Sequence, residues 1–308
     1  MIVVCGEALI DVVRNSDGTQ RATPGGGPFN TARALARLGV ECAFLGHLSS
    51  DPFGRELSQL LAADGVSLEL ISTGPEPTTI ALADLDAEGL AEYTFEIEGT
   101  SAPNLTPAMV PSDLGDVSAL HLGTLGLVLE PMASTLTELT IREHHGRLVM
   151  IDPNIRRGLV DEAYRERLNS LLEVCTVFKA SDSDLGWLYP DRDHVAAAED
   201  LLSKNVSLVV VTLGEAGAFG AHRDCRISVP APPVNVVDTI GAGDAFGAAV
   251  LAWLHDHDLV SPSLNMSEEQ LRSALEYACL AAALTVARPG ADPPRKDDMT
   301  SIAHGTKP

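Results

Sequence analysis

The chain is expected to fold as an α/β protein on an open, mostly parallel sheet with helices on both faces. Three observations support this. Short uncharged runs rich in Val, Ile and Leu alternate with longer amphipathic stretches along the 308 residues, and such runs suit strands buried on both faces. Strand-helix alternation is the pattern of parallel crossover units. The composition, 45% hydrophobic and 21% charged, supports a sizeable core and argues against disorder.

The elements follow in order. Ile2–Cys5 reads as a strand, Thr31–Leu38 as a helix, Cys42–Leu45 as a strand and Arg55–Ala63 as a helix. The pattern then changes. Residues Thr78–Asp86 alternate, Ala87-Glu88-Gly89 turns, and Glu92–Glu98 alternates again, which describes an inserted β-hairpin. A hairpin this small needs something to lie across; a cover over a cleft, a contact with a second copy and a surface ornament are all open on pattern alone. Strands resume at Leu120–Leu122, Leu148–Ile151, Thr176–Phe178 and Leu208–Val211, with helices at Met132–His144, Glu162–Val174 and Val195–Ser203. The apolar run after Asp244 reads as a helix. Leu271–Val286 is apolar almost all round, hence a buried helix, and Arg288-Pro-Gly-Ala-Asp-Pro-Pro ends it. The last dozen residues read as a loose polar tail. No repeat or low-complexity linker interrupts residues 1–308, so a single domain is expected.

Charge narrows the partners. With 21 basic and 43 acidic residues the net charge is −22, and such a surface repels nucleic-acid backbones and anionic lipid. No run of about 18 apolar residues could span a bilayer, and Met1-Ile-Val-Val-Cys does not resemble a secretory leader. Cysteines at 5, 42, 175, 225 and 279 are odd in number and include no Cys-x-x-Cys pair. Free thiols in a cytoplasmic, reducing setting are the expectation. His144-His145 and His255-x-His257 sit among charged residues and read as surface; His47 and His121, in or beside apolar strands, read as core.

Two segments carry chemistry. In Asp238-Thr-Ile-Gly-Ala-Gly-Asp244, small residues at 241–243 let the backbone approach a ligand, and the opening amides of the following helix make an anion site. A carboxylate beside bound phosphate is unfavourable unless it has a task. The natural one is to take a proton from an incoming hydroxyl while the amides hold the transferring phosphoryl group. Helix capping by Thr239 or Asp244 is the bland alternative, outweighed by three small residues between two aspartates. Neither a Gly-x-x-x-x-Gly-Lys-Ser/Thr loop nor a dinucleotide fingerprint fits, since the third glycine of the latter would fall at Phe246. In Pro24-Gly-Gly-Gly-Pro-Phe-Asn30, the glycines permit close backbone approach, and Asn30 is read as opening the next helix with an amide suited to sugar hydroxyls. A glycine turn capped by Asn30 fits that segment equally well.

Together the two segments resemble the diglycine and C-terminal signatures of the PfkB-type (ribokinase-like) sugar kinases, with Ile240 where Thr is commoner, and the resemblance runs along essentially the whole chain. The bacterial fructokinase and 2-keto-3-deoxygluconate kinase branch is nearest, on Cys5-Gly-Glu-Ala-Leu-Ile-Asp11, Asp152-Pro-Asn-Ile-Arg156 and Lys179-Ala-Ser-Asp-Ser-Asp184. The resemblance implies a ribokinase-like sheet plus a small β lid formed by about 12–24 and 78–100. It implies Asp244 as general base and Gly241, Ala242 and Gly243 as the anion hole. Asp11, Gly25, Gly26, Asn30, Asn154 and Arg156 would bind the acceptor. Lys179, Thr212, Gly214, Gly217 and Cys279 would line the ATP site. Asp238, Ile240 and Gly290 would hold a monovalent cation such as K+, mostly through carbonyls.

Two departures bear on detail. The family's Asn-x-x-Glu motif near the Mg-phosphate is Ser181 and Asp184 here, one methylene shorter, which leaves the support of Mg2+ by Asp184 open. Relatives acting on acidic sugars carry an arginine late in the lid hairpin, whereas here Glu96-Ile-Glu98 stands there. The implied activity is therefore ATP- and Mg2+-dependent phosphorylation of a primary hydroxyl of a neutral sugar, fructose first. Ribose, 2-keto-3-deoxygluconate or a nucleoside are alternative acceptors, and a silent sugar- or nucleotide-binding module is the alternative from another class. The oligomeric state is left open, and an exposed lid hairpin is compatible with a homodimer through the lid.

Overall fold

A computed structural model describes residues 1–14, 19–85 and 91–303. Its strands are β1 (Ile2–Cys5), β2 (Leu9–Arg14), β3 (Gln20–Gly25), β4 (Cys42–Ser49), β5 (Ile71–Gly74), β6 (Ile80–Leu85), β7 (Ala91–Glu96), β8 (Ala119–Gly123), β9 (Leu148–Asp152), β10 (Val177–Ser181), β11 (Leu208–Thr212), β12 (Ala218–His222) and β13 (Cys225–Val229). Its helices are α1 (Gly27–Arg37), α2 (Pro52–Asp64), α3 (Met132–Glu143), α4 (Glu162–Leu172), α5 (Asp182–Leu188), α6 (His194–Leu202), α7 (Ala242–Asp256), α8 (Glu268–Val286) and α9 (Lys296–Ala303).

Nine strands form one sheet in the order β13-β12-β11-β10-β9-β8-β1-β4-β5. All neighbours are parallel except the β11-β12-β13 edge, which folds back antiparallel. The two-residue period of a strand divides the apolar side chains between faces. Ile2 and Val4 join the core under α1, α2, α7 and α8. Val3 and Cys5 join the core under α3, α4, α5 and α6. Because both faces are covered, the strands read as unbroken apolar runs.

The chain leaves β1 toward β4 and β5 on one side and returns through β8 on the other, so strand order reverses at β1. In open α/β sheets a crevice opens at the carboxyl ends of strands where the order reverses. A second sheet, β3-β2-β6-β7, stands apart from the first. Within it β2 and β6 are parallel, while β2-β3 and β6-β7 are antiparallel hairpins. The sequence segments 12–24 and 78–100 thus contribute to one four-stranded sheet; the Ala87-Glu88-Gly89 turn lies outside the described residues.

Some elements differ from expectation. Helix α1 starts at Gly27, not Thr31, with Gly26 as its N-cap and Pro28 in its first turn, a position where the missing N–H of proline costs nothing. Asn30 is therefore inside the helix and does not cap it. Helix α2 starts at Pro52 because Asp51 accepts a capping bond from the Gly54 amide at 2.8 Å. The β12-β13 hairpin and α5 are short elements that the sequence pattern did not announce.

Candidate active site

A cleft of about 860 Å³ opens at the carboxyl ends of the central strands. Glu7 follows β1, Thr124 follows β8 and Asn154 follows β9; Lys179 and Ser181 come from β10 and Thr212 ends β11. Helices α1 and α7 bring Asn30 and Asp244 to one wall. The small sheet brings Leu9, Asp11 and Val13 from β2 and Thr94 and Phe95 from β7.

Helix α7 begins after Gly241, whose φ of 76° suits glycine far better than any side chain. Gly241 and Gly243 both face the cleft. The first amides of a helix have no intrahelical acceptor, so this end offers N–H groups and the positive end of the helix dipole. Asp244 sits in that first turn and is buried. Its Oδ2 accepts a hydrogen bond from Asn30 Nδ2 at 2.9 Å. Burial pushes the Asp244 carboxyl up from the usual aspartate range, opposed by the Asn30 bond and by the charges of Lys179 and Arg156. A partly destabilised carboxylate at the mouth of an amide-rich helix end is suited to accept a proton.

Lys179 is buried and its Nζ donates to Asp152 Oδ2 at 2.6 Å. Burial disfavours its ammonium, yet Asp152, Asp244 and Asp184 together hold its pKa above the ordinary lysine value. Burial likewise pushes Asp152 up to about 6 despite Lys179. Asp11, central in the small sheet, is pushed up to about 6, first by burial; the positive charge of Arg156 opposes this and Asp244 adds to it. Gly25 pairs with Leu9 across β2-β3, and a side chain there would overlap the Asp11 carboxylate. Asp184 lines the cleft but its oxygens are engaged: Oδ2 accepts from Ser181 N at 2.9 Å and from Ser181 Oγ at 2.6 Å, and Oδ1 accepts from Ile155 N at 2.8 Å.

Twelve of the residues singled out in the sequence meet at this cleft: Asp11, Gly26, Asn30, Asn154, Arg156, Lys179, Asp184, Thr212, Ile240, Gly241, Gly243 and Asp244. Gly25 and Ala242 are chain neighbours of lining residues. Asp238 and Gly290 are not among its lining residues; they are joined by a 2.8 Å bond from Gly290 N to Asp238 Oδ2, while Asp238 Oδ1 accepts from Ile240 N at 3.0 Å. Gly214 and Gly217 flank a short turn after β11, and a Cβ on Gly217 would overlap the Val229 carbonyl. Cys279 is buried in α8 within the core. None of these last three lines the cleft. His47 and His121 are buried, and neither is among the lining residues.

Sequence reasoning assigned no role to several lining residues, notably Glu7, Thr124 and Arg157. The available signal was positional: Glu7 and Thr124 are polar residues directly after apolar strands, where open α/β sheets gather their ligands. Burial pushes Glu7 up to about 8, although its own amide, the Gly126 amide and Arg156 oppose the shift; Asp244 adds to it. Glu7 Oε1 has no hydrogen-bond partner among the described residues.

Comparison with known proteins agrees with this geometry. A family model described as pfkB family carbohydrate kinase matches residues 1–298. Fructokinase from Rhizobium leguminosarum bv. trifolii is 38% identical over 282 residues, covering 89% of this chain and 86% of that protein. Fructokinase from Klebsiella pneumoniae is 33% identical over 306 residues, covering 97% of each. Among solved structures, fructokinase with bound ATP from Xylella fastidiosa superimposes with a TM-score of 0.89 at 26% identity, covering 98% of both chains. Fructokinase from Vibrio cholerae O395, solved with fructose, ADP and calcium, gives a TM-score of 0.83 at 26% identity over 97% of each chain.

Proposed function

From the premise that this chain belongs to the pfkB family of carbohydrate kinases and is an ATP-dependent sugar kinase, we propose that its acceptor is fructose and that Asp244 is the base that activates a primary hydroxyl of that sugar. The observation that carries this is the 2.9 Å bond between Asn30 and Asp244, which joins the two glycine-rich motifs at one point of the cleft. The names of the curated relatives and the fructose bound to the Vibrio cholerae enzyme support the choice of sugar.

The sugar would enter between the small sheet and the strand ends, with Asp11, Asn30, Asn154 and Arg156 meeting its hydroxyls. The triphosphate would run past Lys179 and Thr212 to the amides of Gly241, Ala242 and Gly243. Asp244 accepts the hydroxyl proton as the oxygen attacks the γ-phosphorus and the bond to ADP breaks, while the helix-end amides stabilise charge on the transferring group. A Mg2+ ion fits a site in which the phosphates are its main ligands, because Asp184 has its oxygens committed to Ser181 and Ile155 and would act through water. When bound it would neutralise phosphate charge. Asp238, tying Gly290 to Ile240, would hold the loops whose carbonyls bind a monovalent cation.

The small sheet is well placed to serve as a lid, since Asp11, Val13, Thr94 and Phe95 reach the cleft from it. Closure would exclude water, which competes as acceptor. Its outer strands β3 and β7 each pair on one side only among the described residues, which favours a homodimer in which a second copy meets that edge. Five unpaired cysteines support residence in the reducing cytoplasm; no described helix is long and apolar enough to cross a membrane.

A second reading has its own observation. Arg156 and Arg157 both line the cleft, and an acidic sugar such as 2-keto-3-deoxygluconate would pair with them. A coupled ADP-release assay across fructose, ribose, tagatose, 2-keto-3-deoxygluconate and adenosine separates the two. A kcat/KM highest for fructose is expected; a higher value for the acidic sugar would overturn the choice of acceptor, and no turnover of any sugar would overturn the kinase mechanism.

A further inference from the structure

The cleft contains a strained pair of residues, one of which, Thr124, has no part in the chemistry above. Among the described residues five non-glycines have positive φ, and two of them, Thr124 (φ 50°) and Asn154 (φ 38°), line the cleft. Asparagine visits this region readily, whereas a β-branched residue does so only when its surroundings force it. The surroundings of Thr124 do so. Leu125 and Leu127 beside it are buried. The Gly126 amide donates to Glu7 Oε2 at 3.0 Å, pinning the turn to the end of β1. Asn154 Nδ2 donates to Thr124 Oγ1 at 3.1 Å, and Arg156 Nη1 donates to Asn154 Oδ1 at 2.8 Å.

This arrangement orients a proton. Asn154 occupies an acceptor position of the Thr124 hydroxyl, so the hydroxyl hydrogen is free for a different acceptor. The space beside it is open because residue 27 is glycine: a Cβ there would overlap Thr124 Oγ1 and stand 3.4 Å from Asp244 Oδ1. One small volume is therefore bordered by the Thr124 hydroxyl and by the carboxylate that takes the proton.

We propose that the Thr124 hydroxyl donates a hydrogen bond to a sugar oxygen neighbouring the one that is phosphorylated, which makes Thr124 a specificity-determining residue for the acceptor. This rests on the sugar-kinase reading and adds a donor to a pocket otherwise rich in carboxylates. It selects sugars that carry an oxygen at that neighbouring carbon.

The test uses the full-length enzyme and the variants Thr124→Ser, Thr124→Val and Thr124→Gly. Each is assayed with fructose and a set of monodeoxyfructoses, with the KM for ATP and a thermal unfolding curve recorded in parallel. Thr124→Ser should stay within about twofold of the parent. Thr124→Val should lower kcat/KM for fructose about 3- to 10-fold, the range for losing one neutral hydrogen bond, with the KM for ATP unchanged. That penalty should vanish for the one deoxy sugar lacking the contacted oxygen. Thr124→Gly, which needs no β-branched residue at positive φ, should unfold cooperatively yet share the loss with fructose. Equal kcat/KM for the Val and Ser variants, or a Val penalty identical across all the deoxy sugars, would overturn the proposal. The two readings fail separately. Turnover by the parent enzyme decides the sugar-kinase reading, and if the parent prefers another sugar, the same cycle is run on that sugar's deoxy analogues. A parent that turns over no sugar overturns both.

Discussion

Asn30 and Asp244 are 214 positions apart in the chain and meet at 2.9 Å. Asn30 lies in the first turns of α1 and Asp244 in the first turn of α7, and both helices pack on the same face of the large sheet. The meeting follows from that packing. It places a neutral donor on one oxygen of a buried carboxylate, which limits how far burial can raise its pKa and leaves Oδ1 for an incoming hydroxyl.

Asp244→Asn keeps the side-chain shape and the Asn30 neighbourhood but removes the proposed proton acceptor. Turnover is expected to fall by roughly 10²- to 10⁴-fold. Nucleotide affinity, measured by calorimetry, should change little, because the amides and Lys179 remain. Turnover equal to that of the parent would remove Asp244 from the mechanism.

The acid limb of kcat/KM should report raised carboxylates. Asp244 must be ionised to accept a proton, and its pKa is held above the usual range by burial; burial likewise pushes Asp11 up to about 6. Activity is therefore present at neutral pH and lost as pH falls, with a midpoint well above the value of about 4 typical of free aspartate. An initial-rate series from pH 4 to 9 checks this, and a midpoint at ordinary aspartate pKa would contradict it.

Glu7 acts in the opposite sense on stability. Its folded pKa, about 8, is above its ordinary value of 4.5, so the folded state binds the proton more tightly than the unfolded chain does. This contribution is fully present below pH 4.5 and is lost as pH rises through about 8. Glu7→Gln, which stays neutral, should gain melting temperature relative to the parent as pH increases from 5 to 9. A constant or shrinking difference between the two melting curves would show that Glu7 is ionised in the folded protein.

On the proposed mechanism Gly243 would shape the phosphate end. A Cβ there would lie 3.1 Å from Lys179 Nζ, the far end of a flexible chain, so Gly243→Ala should fold with little change in melting temperature. The added methyl would narrow the space where phosphate meets the helix amides. The KM for ATP is expected to rise about tenfold or more, with sugar affinity less affected; unaltered nucleotide kinetics would argue that the triphosphate takes another route.

Lys179 and Asp152 form a buried pair at 2.6 Å. Removing one member leaves the other without compensation, which typically costs about 3–5 kcal/mol. Lys179→Met should lower the unfolding midpoint clearly. Because burial pushes Asp152 up to about 6 even beside Lys179, the loss should shrink at pH 5, where its carboxyl takes a proton. Denaturant melts at pH 5 and pH 8 test both statements.

The sequence by itself determined the α/β class, most strands of the large sheet, and the two segments that hold Asp244 and Asn30. The physical reason is local: runs buried on both faces must be apolar throughout, and a glycine-rich helix start is written in consecutive residues. It misplaced the start of α1, read as opening at Asn30, because Pro28 can start a helix in its first turn and no local rule ranks the two choices. Gly214, Gly217 and Cys279, expected at the nucleotide, sit in a turn after β11 and in the core along α8, and are not among the residues that line this cleft. Only the tertiary structure decided which strand ends border one volume. Glu7, Thr124 and Asn154 are neighbours because strand order reverses at β1 and brings β8 and β9 beside it, a relation between distant segments that leaves no periodic trace. The left-handed backbone at Thr124 is of the same kind, since its cause is a set of contacts made by residues far away in the chain.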